Sequence, residues 1–90
     1  MQLTYPLLHM NGTSAEGLRR PLEDAYAALE AAYEALKQTA PNGRDYYTRP
    51  GTMNKAEVEH RNRMQRIDSV KDEIENLIGN IDDQEDARKA

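Results

Sequence analysis

The sequence predicts an all-α protein: an antiparallel helical hairpin with an extended N-terminal arm, packed into a homo-oligomeric helical bundle. Three observations carry this. Apolar residues recur at helical spacing in two long segments. A stretch punctuated by proline and glycine, residues 40–53, lies between them. Ninety residues with no cysteine, Phe or Trp can build only a thin core and cannot staple it with disulfides. Small scaffolds of that kind gain burial by associating, so a homo-oligomer is expected.

Residues 1–12 precede any helical pattern. Leu3, Tyr5, Leu7 and His9 alternate weakly with their neighbours, and Pro6 interrupts them. This reads as an extended arm laid across an apolar surface or reaching into a neighbouring subunit or partner, closed by the turn signal Asn11-Gly12. Thr13-Ser14-Ala15-Glu16 fits a capping box in which Thr13 caps and Glu16 returns the bond. A first helix over about 14–39 then carries Leu18, Leu22, Ala25, Leu29, Ala32 and Leu36, the spacing of a seam packed at a shallow angle. Pro21 removes a backbone donor within it, predicting a kink or a short turn over 14–20 before the main helix. Tyr26 and Tyr33 flank the seam. They are expected to pack the interface, with a stacking platform for a planar ligand as the alternative.

The bend, 40–53, spends more residues than a helical turn needs. Asn54-Lys55-Ala56-Glu57 repeats the capping pattern and predicts a second helix over about 54–82. Its apolar positions are His60, Met64, Ile67, Val70, Ile74, Leu77, Ile78 and Ile81. Residues 83–90 are acidic, lack an apolar set and are expected to be a frayed or disordered tail.

Charge excludes some functions. The net charge is −4, and an acidic chain is a poor partner for long nucleic acid. Residues 42–66 nevertheless hold six basic side chains against three acidic, a local +3, which suits one small anion. No run of apolar residues reaches the roughly 20 a membrane helix needs, and the N-terminus lacks the pattern of a signal peptide. A cytoplasmic setting is expected.

Catalytic and metal chemistry are poorly supplied. There are two histidines, His9 and His60, no cysteine and no phosphate loop. Glu57, His60 and Arg61 share a helical face, but a carboxylate–histidine pair falls short of a zinc site. Glu57–Arg61 and Glu59–Arg63 read as weak surface ion pairs. Neither a metal nor a cofactor is expected, nor an enzyme. The candidate ligand-binding residues are Arg44, Tyr46, Tyr47 and Arg49 in the bend with His60, Arg61 and Arg63 at the start of the second helix. Arginine offers a planar fork to phosphate, and tyrosine a face on which a base can stack. The alternative is a solvated basic face beside tyrosines that close the end of the bundle.

Three motifs, His9-Met10-Asn11-Gly12-Thr13-Ser14, Ala40-Pro41-Asn42-Gly43-Arg44-Asp45-Tyr46-Tyr47 and Glu59-His60-Arg61-Asn62-Arg63, together resemble a group of small helical proteins encoded by tailed phages and prophages. The resemblance covers roughly residues 8–84 and implies an origin, with a bacterial host cytoplasm as the setting. It carries no mechanism. Pro21 departs from the uninterrupted first helix of that group. The expectation that follows is a non-enzymatic, counter-defence accessory protein sequestering a small phosphorylated ligand such as a nucleotide second messenger. A protein–protein inhibitor of a host enzyme and a virion or assembly oligomer are the alternatives.

Overall fold

The computed structural model describes residues 2–89. Two α-helices pack against each other as a hairpin: α1, Ala15–Lys37, and α2, Thr52–Lys89, with one 3-10 turn, Gly43–Asp45, between them. Among the described residues there is no strand, and Gln2–His9 form no helix. Among the described residues no helix is long and apolar enough to cross a membrane.

The hairpin is long and thin, 63 × 23 × 20 Å, with a radius of gyration of 19.1 Å. A compact domain of this length would have about 12 Å. Every expected seam residue of α1, from Leu18 to Leu36, is half-buried against α2. In α2 the same holds for His60, Met64, Ile67, Ile74, Leu77 and Ile78. Among the described residues only Ile81 is fully buried. Val70 departs from the pattern and is exposed, whereas Lys71 is half-buried. The Lys71 ammonium lies 5.4 Å from the Tyr26 ring centre and 5.3 Å from that of Tyr33. Its alkyl stem can then cover the seam while the charge meets two π faces. The tyrosine flank therefore receives a lysine of the same chain.

The helix boundaries correct the expected ones. The cap of α1 is Ser14 and not Thr13: the Ser14 hydroxyl accepts from the Gly17 N–H at 3.0 Å. Glu16, expected to complete the box, instead reaches Arg19 at 3.2 Å and Arg20 at 3.9 Å. α1 is one helix across Pro21, without a separate turn over 14–20. α2 begins at Thr52, two residues before the Asn54 cap expected of it, with the Thr52 hydroxyl donating to the Arg49 carbonyl at 2.7 Å.

The largest correction is at the other end. α2 continues through Lys89, so most of the tail expected to be disordered is helical. Two tertiary anchors explain why. Arg19 of α1 donates to Asp82 at 2.8 Å and to Glu85 at 2.6 Å. Gln84 accepts from the Leu8 N–H at 2.9 Å and donates to the Pro6 carbonyl at 2.8 Å. Both contacts hold α2 beyond Ile81, the last large apolar residue of the helix.

Candidate functional site

These contacts set the register of the hairpin. With Arg19 beside Asp82 and Tyr33 beside Lys71, α1 ends short of the start of α2. The first turns of α2 are left to the connection, Gln38–Gly51, and its chemistry decides how it lies there. Asn42 caps the 3-10 turn, its side-chain oxygen accepting from the Arg44 N–H at 3.0 Å. The Tyr46 N–H donates to the Gly43 carbonyl and the Arg49 N–H to the Tyr46 carbonyl. Gly51 takes φ +84°, a left-handed value that glycine adopts without the penalty of a Cβ, and turns the chain into α2. The Thr52 hydroxyl ties this together by facing the carbonyls of both Tyr46 and Arg49.

The product is an open groove of about 530 Å³ between the connection and α2. Tyr46 and Arg49 line one wall with Asp45 and Thr48, and Thr52, Lys55 and Glu59 line the other. Its volume falls within the 300–1,000 Å³ typical of small-molecule sites. The lining holds two cations, Arg49 and Lys55, and two carboxylates, Asp45 and Glu59, so its own charges balance.

The seven candidate residues do not share this groove. Tyr46 and Arg49 belong to it, whereas His60 and Arg61 line a second one of about 390 Å³ with Tyr33, Pro41, Glu57 and Met64. Each residue of a helix advances the direction by about 100°, which puts Lys55 and Glu59 on one flank of the seam and Glu57 and Arg61 on the other. Arg44, Tyr47 and Arg63 are exposed and line neither groove, Tyr47 at 79 % exposure. The His60 Nδ1 is buried without a hydrogen-bond partner. Lys55 was legible as one of the basic residues of this region but was missing from the candidate set, because nothing in linear spacing marks which flank the connection covers.

The expected ion pairs Glu57–Arg61 and Glu59–Arg63 do not form. Among the described residues, no carboxylate lies within 4.0 Å of the guanidinium groups of Arg44, Arg49, Arg61 or Arg63, in contrast to Arg19 and Arg20. All four of these arginines are exposed. Among the described residues, no three side chains that could ligate a metal come together.

Comparison with protein-family models, with curated proteins and with solved structures found no match.

Proposed function

We propose that this chain is a non-enzymatic binding protein of phage origin that works as a homo-oligomer and sequesters a small phosphorylated ligand, such as a nucleotide second messenger, in the host cytoplasm. The observation that carries the reading is the unpaired state of the arginines around the bend, beside a groove of nucleotide size. Arg49 and Lys55 would take phosphate oxygens, and Tyr46 would offer its ring to a base. Arg44 and Arg63 stand close enough in sequence to the two walls to add positive field, which the balanced lining of the groove needs. His60 and Arg61 serve the second groove, so ligand contact there is a separate event.

The test is native mass spectrometry of protein purified gently from a host with active signalling. A retained mass of a few hundred daltons, lost in Arg49→Ala and Lys55→Ala, supports the reading. Binding that survives both substitutions refutes this groove. An apo protein that also shows no thermal shift with a panel of nucleotides refutes ligand sequestration.

One further observation favours a protein partner as the second reading. Tyr47 and Val58, 79 % and 58 % exposed, leave apolar surface at the bend end of the hairpin. An inhibitor of a host enzyme would dock there, and Val58→Asp would abolish capture of that enzyme while nucleotide binding stayed absent. The virion or assembly reading predicts high copy number in purified particles.

A further inference from the structure

The other end of the hairpin carries a different kind of surface. The N-terminal segment, held by Gln84, turns Leu7 and Met10 outward at 77 % and 94 % exposure. Met10 shares its groove with Arg88 and Lys89, and with Glu85, whose carboxylate Arg19 holds. Met10 thus forms an apolar knob flanked by Arg88 and Lys89, and Leu7, three residues before it, extends the exposed apolar segment. Mid-hairpin lies its complement: an open groove of about 380 Å³ with Tyr26, Ala27 and Ile78 at its base and Glu23, Glu30 and Glu75 around it. Among the described residues no cation lines that groove, and the Lys71 ammonium lies 5.4 Å from the ring centre of Tyr26.

Surface area says how much association the chain can use. It exposes 6922 Å² at 10.3 kDa, where a folded monomer of that mass exposes about 5,400 Å². The excess, roughly 1,500 Å², exceeds the ~800 Å² per partner of a standard interface.

We propose that the Leu7–Met10 knob of one copy seats in the Tyr26–Ala27–Ile78 groove of a second copy, with Arg88 and Lys89 facing Glu23, Glu30 and Glu75. Knob and groove are distinct patches on one chain, so a twofold pair makes the contact twice. The apolar atoms supply the burial, and the charges select the register and reject a knob-to-knob pairing of like sign. The proposal rests on the homo-oligomeric part of the function proposed above and is independent of any ligand at the bend.

Sedimentation velocity and native mass spectrometry on the full chain test it through a charge swap. Glu23→Arg with Glu30→Arg, and separately Arg88→Glu with Lys89→Glu, should each weaken self-association by about tenfold or more. The four changes together should restore it to within a few-fold of the wild type. Met10→Asp should disperse the oligomer by itself, with helicity unchanged by circular dichroism because the side chain is exposed. A wild-type chain that stays monomeric overturns the proposal. So does association that ignores Met10→Asp and the charge variants, or that the swap does not restore. Retained ligand is read in the same spectra, so failure of this contact and failure of the bend site are told apart.

Discussion

The guanidinium of Arg19 in α1 donates to the Glu85 carboxylate in α2 at 2.6 Å while its Nε donates to Asp82 at 2.8 Å. One planar fork therefore joins the start of the first helix to the last turns of the second. The hydrogen bond to Asp82, then that to Glu85, raises the pKa of Arg19 above the ordinary guanidinium value. A raised basic pKa adds stability that is complete below the ordinary value and is lost only as pH climbs through the elevated one. Arg19 is therefore expected to contribute equally at pH 8 and pH 10.5. For lysine, whose ordinary pKa is about 10.4, the same contribution is already declining at the upper pH, and the fork is missing. The melting temperature of Arg19→Lys should lie below that of the wild type at pH 8, and the gap should widen at pH 10.5. A gap independent of pH would show that the charge of Arg19 is not what holds α2. Other titrating groups are common to both proteins and cancel in the comparison.

Gln84 uses its side-chain amide in place of a backbone partner, accepting from Leu8 and donating to both Pro6 and Asn80. Gln84→Ala would strand the Leu8 N–H and the Pro6 carbonyl, both in part-buried hydrogen bonds. A loss of about 1–3 kcal/mol is expected. Amide exchange should speed up at Leu8 and remain slow in the middle of α1. Unchanged protection at Leu8 would mean that other contacts hold the segment.

Capping gives a paired prediction. Ser14 receives the Gly17 N–H and Thr13 does not. Ser14→Ala should cost about 1 kcal/mol and Thr13→Ala close to nothing, measured by urea denaturation. The reverse order would move the start of α1 by one residue.

Among the described residues Ile81 is the side chain most completely enclosed, which makes it the most sensitive to truncation. Ile81→Ala should cost about 2–5 kcal/mol and Ile81→Val about 0.5–1.5 kcal/mol. Val70→Ala, at a position 43 % exposed, should cost far less although both are apolar residues of the same helix. Chemical denaturation of the three variants checks the ranking.

Legibility of the fold followed from periodicity. Leu18, Leu22, Ala25, Leu29, Ala32 and Leu36 could be assigned to one face because a helix has only one period, and a partner helix was available across a turn. The connection was legible as a bend because Pro41, Gly43, Pro50 and Gly51 cannot sit comfortably inside a helix. The candidate site was legible only as a composition. That Arg49 lies with Lys55 while Arg61 lies with His60 depends on which flank of α2 the connection covers. Val70 and Lys71 make the same point: their hydropathies favour valine for the seam, and the two tyrosine rings of α1 favour lysine.

By itself, then, the sequence determined two helices, the seam residues of α1, most of those of α2 and the bend between them, because local spacing and backbone preference are sufficient for these. Tertiary structure alone decided the rest. Residues 83–89 are helical because Arg19 and Leu8, 66 and 76 positions away in the chain, meet Glu85 and Gln84. The division of the basic residues between two grooves was settled by the path of the connection. Interactions across such separations leave no local trace in composition, since their partners are specified only when the helices pack.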